Sequence, residues 1–125
     1  MEKNNFVTIT GMNYYYGMKP FEVGRIIRLV KEPDNEYDSE AIRAELPFID
    51  KIGYVANSSH TVAKGTFSAG RAYELFEKET YAQILFVTHS SVICLLLSSH
   101  DIEMNNKKEQ QSDIAGDIMK SLANF

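Results

Sequence analysis

Apolar residues gather in six short runs: Phe6–Thr10, Val23–Lys31, Ala41–Leu46, Lys51–Ala56, Ala82–Thr88 and Ser91–Ser98. Several alternate with the strand period, so that Ile42, Ala44 and Leu46 share one face and Arg43 and Glu45 the other. The stretch Ile26-Ile27-Arg28-Leu29-Val30 alternates poorly, which suits a strand covered on both faces or one curling through a bulge. Turn-forming residues separate the runs at Gly17–Pro20, Glu32–Asn35 and Pro47–Asp50. The spacing of Ala69, Ala72, Tyr73 and Phe76 predicts a helix over Ala69–Lys78, with Ser68 placed to cap its start. Six short strands with one or two inserted helices predict a mainly β fold, a small closed or partly closed β-barrel.

The pattern changes after residue 100. Residues 1–100 are expected to form the barrel domain, and residues 101–125 a polar linker followed by a short helical tail. Ile114, Ile118 and Leu122 recur every four residues, and Ser112 or Asp113 stands where a cap belongs. Gly116 inside this helix costs about 1 kcal/mol relative to Ala, so the tail needs a surface to pack on. That surface is its own barrel or, as the alternative, a protein partner or a second copy in a homo-oligomer.

Composition narrows the class. At 125 residues the chain has the length of one domain, and 44% hydrophobic residues exclude a disordered segment. The net charge of −4 argues against a broad basic face that coats duplex or lies on an anionic membrane, and leaves room for a small local contact. Cys94, within Val92-Ile93-Cys94-Leu95-Leu96-Leu97, reads as a buried apolar residue. Met1–Asn5 does not resemble a signal peptide, so a cytoplasmic protein without a membrane span is expected. His60, His89 and His100 are scattered without metal-ligand spacing, and serines beside them lack a placed base. No metal, cofactor or catalytic site is expected.

Two clusters remain. Tyr14-Tyr15-Tyr16 lies between Gly11 and Gly17, and in an extended segment three consecutive rings cannot all face the core. At least one is expected to be exposed or to line a groove, where any base can stack on it; the other reading is a strand whose rings anchor the barrel. The second cluster is Lys31-Glu32-Pro33-Asp34-Asn35-Glu36-Tyr37-Asp38, a constrained turn that presents Tyr37 and Asp38. Asp38 reads either as a turn carboxylate or as an acceptor beside an aromatic platform. Arg28, Lys31, Lys64 and Arg71 are candidate phosphate donors. The loop Gly65–Arg71 could add backbone N–H groups at a helix start.

Gly11-Met12-Asn13-Tyr14-Tyr15-Tyr16-Gly17, then Leu29 to Ile42 with its Glu-Pro-Asp-Asn-Glu-Tyr-Asp core, then Lys51-Ile52-Gly53-Tyr54-Val55, resemble the HIRAN domain, over about residues 6–98. The resemblance implies an OB-like or SH3-like barrel that captures the 3′ end of single-stranded DNA. By position, the base-holding tyrosines fall on Tyr14 and Tyr37, and the acceptor for the free 3′-hydroxyl falls on Asp38. Tyr15 and Asn35 fall on flanking positions. Lys31, Tyr54 and Arg71 complete the expected interface, Tyr54 standing where the family has histidine and Asn13 where its DNA-binding member has arginine. The expectation is a non-enzymatic module for single-stranded DNA, with RNA as a further ligand. The alternative is a protein-interaction module using the same aromatic groove or the C-terminal helix.

Overall fold

Runs of alternating apolar residues leave one face of every strand needing cover, and in this chain the strands cover one another by closing into a ring. The computed structural model describes residues 5–47 and 49–97. Its strands are β1 (Phe6–Thr10), β2 (Ile26–Lys31), β3 (Ile42–Leu46), β4 (Ile49–Val55), β5 (Glu79–Val87) and β6 (Val92–Leu97). They pair in the order β1-β4-β3-β2-β5-β6, and β6 returns to β1, so the barrel is closed. Every neighbouring pair is antiparallel. Closure leaves no open sheet edge in the ring. The expected mainly β, six-stranded barrel is therefore the observed fold.

Val7, Ile9, Ile27, Leu29, Ile42, Ala44, Ile52, Ala82, Ile84, Val92 and Cys94 fill the interior, all without solvent exposure. Burial pushes the Cys94 thiol up to about 12, so it stays protonated among apolar neighbours. The poor alternation of β2 has the first of its two expected causes. Ile27 and Leu29 face the interior, whereas Ile26 is covered from outside by Leu97, Tyr81 and Leu95. The outer face of β3 holds a buried carboxylate, Glu45, which receives ion pairs from Arg28 and Arg43.

Element ends differ from the sequence expectation where distant groups compete for the backbone. β2 begins at Ile26 because Gly24 takes a left-handed conformation (φ 92°) in a turn closed by the Arg25 N–H on the Glu22 carbonyl. β5 begins at Glu79, since Glu79–Tyr81 already pair with Val30–Arg28. The helix over Ala69–Lys78 is cut to Ala69–Tyr73, here α1, with Ser68 Oγ accepting the Arg71 N–H at its start. Beyond its end Lys31 holds the chain against β2: its Nζ donates to the Phe76 carbonyl and its backbone N–H to the Lys78 carbonyl. The tyrosine segment is not extended. After Gly11 (φ 76°) the chain makes a 3-10 turn over Met12–Tyr14, with Met12 buried and the three rings directed outward.

The polar stretch between β4 and α1 lies along β1. The Phe67 N–H donates to the Phe6 carbonyl, the Ala63 N–H to Thr8 Oγ1, and the hydroxyls of Thr8 and Thr66 are 2.8 Å apart. Among the described residues, no helix is long and apolar enough to cross a membrane. The expected linker and C-terminal helix, and the boundary at residue 100, lie outside the described residues.

Gly53 marks a close approach between β1 and β4. A Cβ there would stand 2.9 Å from Ile9 Cγ2 and 2.9 Å from the Thr10 carbonyl oxygen. Gly53→Ala is expected to destabilise the barrel by about 1–3 kcal/mol, as overpacking of a closed core does. A urea midpoint equal to that of wild type would contradict this packing.

Candidate functional site

The loop between β2 and β3 is held by its own polar side chains. Asn35 Oδ1 accepts the N–H groups of Tyr37 (2.8 Å) and Asp38 (3.0 Å), an Asx-type turn that substitutes a side chain for a backbone acceptor. Asp38 Oδ1 accepts the Glu40 N–H at 2.9 Å, and the Ala41 N–H closes on the Asp38 carbonyl. The loop thus spends its buried polar groups on itself and sends the Tyr37 ring outward, 94% exposed. An aromatic ring left this open gains nothing from the core, and its surface is available to a ligand.

Between this loop, β4, the segment after β4 and the tyrosine turn lies a cavity of about 700 Å³. Tyr15, Tyr37 and Tyr54 give it three phenol rings; Asp38, Lys51 and Asn57 give it charge and hydrogen-bonding groups. The Tyr15 and Tyr54 rings are 6.4 Å apart at 47°. Lys51 Nζ sits 5.0 Å from the Tyr54 ring centre and 5.9 Å from that of Tyr15, within cation–π range of both. Asn57 ties the far wall to the acid: its Nδ2 donates to Asp38 Oδ2 at 2.9 Å while its Oδ1 accepts the Gly70 N–H at 2.9 Å.

Glu32 and Glu36 also border the cavity, and Glu32 ties several of these groups together. Its Oε1 accepts from Asn35 Nδ2 (3.0 Å) and from the Tyr54 hydroxyl (2.8 Å), and its Oε2 faces Arg43 (3.4 Å) and Lys51 (3.5 Å). Burial acts to raise the pKa of this carboxyl, but the bonds from Asn35 and Tyr54 and the charges of Lys51 and Arg43 outweigh it, so it lies below its ordinary value. Lys51 is held above its ordinary range, first by the Tyr54 phenol, against burial, and then by Glu32. Burial raises the Tyr54 phenol, so it remains a hydrogen-bond donor.

Of the residues singled out in the sequence, Tyr15, Asn35, Tyr37, Asp38 and Tyr54 border this one cavity. Tyr14 does not. It is 87% exposed and lines a separate depression of about 230 Å³ with Met12, Met18 and His89. Lys31 is turned away from the cavity, its Nζ over the Tyr73 ring at 4.1 Å. Arg71 stacks on Phe67 at 4.0 Å, and Arg28 is paired with Glu45 and Glu79. These cations, expected to meet phosphate, are used in packing and ion pairs of the barrel. The sequence reading missed Lys51, Asn57 and the bracing role of Glu32. Strict alternation puts Lys51 and Tyr54 on opposite faces, but β4 bulges at Ile52: Gly53 pairs with Ala44 and Lys51 with Glu45. The extra residue brings Lys51 and Tyr54 to the same outer face. Asn57 stands after Tyr54-Val55-Ala56 as a polar residue at a strand exit, and that position was the available signal.

Residues 3–71 match the HIRAN domain. The chain belongs to the HIRAN domain family. In fold it is similar to the crystal structure of the HIRAN domain of human HLTF, with TM-score 0.55 and 15% identity over 74% of this chain and 72% of that one. It is also similar to a protein from Lactobacillus plantarum, with TM-score 0.53 and 18% identity over 74% of this chain and 88% of that one. At these identities the likeness is one of fold. No curated protein sequence matches the chain.

Because Glu32 lies below its ordinary value of 4.5 in this HIRAN barrel, its contribution to stability is complete above that pH. It is lost as the pH falls through the lower folded value. Glu32→Gln is therefore expected to lower the melting temperature at neutral pH and to flatten its decline in acid. Parallel melting curves for the two proteins from pH 7 downward would show that Glu32 does not brace the site.

Proposed function

We propose that this HIRAN protein is a binding module for single-stranded DNA and that the cavity receives a 3′-hydroxyl end. Membership of a nucleic-acid-binding family supports the ligand class. The observation that carries the finer reading is the Asp38 carboxylate, oriented by the Glu40 N–H and by Asn57, in a cavity walled by three phenol rings. A carboxylate repels a terminal phosphate and accepts a charge-assisted hydrogen bond from a terminal hydroxyl. The rings of Tyr37 and Tyr15 offer stacking faces to the last bases, each worth about 1–3 kcal/mol by alanine substitution. Tyr15 takes the part that the resemblance gave to Tyr14, since Tyr15 shares the cavity with Tyr37 and Asp38.

Among the described residues, Lys51 is the cation that borders the cavity. One neutralised phosphate gives a logarithmic salt slope of about −0.7 for a single strand, far below that of a protein tracking the backbone. A protein with net charge −4 suits such an end-capping contact.

Fluorescence polarisation with a labelled oligothymidylate tests the reading. A 3′-hydroxyl strand is expected to bind more tightly than the same strand with a 3′-phosphate, and Tyr37→Ala or Tyr15→Ala to weaken binding about tenfold or more while the fold persists. Equal affinity for the two ends would remove Asp38 from this role. A salt slope near −2 would show that cations outside the cavity take part.

A further inference from the structure

The acceptor capacity of Asp38 reaches further than one hydroxyl. A carboxylate offers about four lone-pair sites. Two are occupied, one on each oxygen: Oδ1 by the Glu40 N–H and Oδ2 by Asn57 Nδ2, both at 2.9 Å. One site on each oxygen therefore remains. Two acceptor oxygens on one carboxylate can take two donors on neighbouring carbons, and a vicinal cis-diol carries such a pair of O–H groups.

Asn57 supplies the complementary group. Its Nδ2 uses one hydrogen on Asp38, and the other has no partner among the described residues while the side chain borders the cavity. A hydroxyl both donates and accepts, so an acid beside an amide donor satisfies it in both directions. The hydroxyl residues Ser58 and Thr61 continue the same wall, so the surroundings of Asp38 and Asn57 are polar on this side. A carboxylate is also the group that holds a ribose 2′-hydroxyl in dinucleotide-binding folds. At the end of a strand, the sugar that carries both hydroxyls is ribose.

We infer that the site prefers a ribonucleotide terminus, reading the 2′,3′-diol of an RNA end with Asp38 as the paired acceptor and Asn57 as the donor to the 2′ oxygen. This rests on the assignment of the cavity as a 3′-hydroxyl pocket and adds to it the class of sugar. The base stacks on the phenol rings as before, and Lys51 meets the same phosphate.

The test uses the full chain and one oligothymidylate carrying four alternative last nucleotides: uridine, 2′-deoxyuridine, 2′,3′-dideoxyuridine and 2′-O-methyluridine. The uridine end is expected to bind about tenfold more tightly than the deoxyuridine end, the size of one added hydrogen bond to a charged group. The 2′-O-methyl end keeps the ribose pucker and loses the donor, so it is expected to fall to the deoxyuridine level or below. Asp38→Asn keeps an oxygen for the Glu40 N–H and sets an amide NH2 where Asn57 Nδ2 now donates; it should erase the advantage of uridine, with the circular dichroism spectrum confirming that the barrel persists. Equal binding of uridine and deoxyuridine ends, or a 2′-O-methyl end as tight as uridine, overturns the inference. In those cases a weaker dideoxy end leaves the 3′-hydroxyl reading standing. Equal binding of deoxy and dideoxy ends removes that reading as well, and absence of binding by every strand removes both.

Discussion

Four polar side chains from three elements meet on the carboxylate of Glu32, and the shape of the cavity depends on that meeting. Asn35 comes from the turn itself, Tyr54 and Lys51 from β4, and Arg43 from β3. Each of these groups has a second task. Asn35 folds the loop that presents Tyr37 and Asp38; Tyr54 and Lys51 form the floor beneath Tyr15. A half-buried carboxylate is stable when its lone pairs are filled, and filling them here fixes the loop against the barrel wall. The surrounding groups are pre-positioned, which lowers the entropy a ligand would otherwise lose in ordering them.

Glu32 is also one end of a longer chain of charge. Arg43 connects it to the buried Glu45, and Arg28 pairs with Glu45 from the other side and reaches toward Glu79. This row crosses β5, β2 and β3 and ends at Glu32 in the turn after β2. Removing one member would leave a neighbour buried without its counter-charge, which is far more damaging than the intact row is favourable. The cations in it are committed to the barrel. That commitment explains how several basic residues near the site in sequence leave Lys51 as the cation at the cavity among the described residues.

The segment after β4 matters for the same reason. It is anchored to β1 through Thr8, Thr66 and Phe67, and its second residue, Asn57, reaches across to Asp38. The acid that the turn presents is therefore oriented by a residue nineteen positions further along the chain. Without this partner the carboxylate would be held by the Glu40 N–H alone.

The strand runs, the shared face of Ile42, Ala44 and Leu46, the burial of Cys94 and the Asn35 turn were legible in the sequence, because each depends on neighbours a few residues away. Alternation assigns faces, and Pro33 with Asn35 sets a local turn. The composition of the cavity was legible in part: Tyr37, Asp38, Tyr15 and Tyr54 stand in recognisable blocks. What required the fold is the choice among equals. Nothing local separates Tyr14 from Tyr15; the 3-10 turn over Met12–Tyr14 sends one into the cavity and the other away. Nothing local separates Lys31 from Lys51; one is drawn to the Phe76 carbonyl, and the other is turned outward by the bulge at Ile52. Helix length, bulge position and the pairing of Asn57 with Asp38 are settled by contacts between residues far apart in the chain, and those contacts exist once the ring of strands has closed.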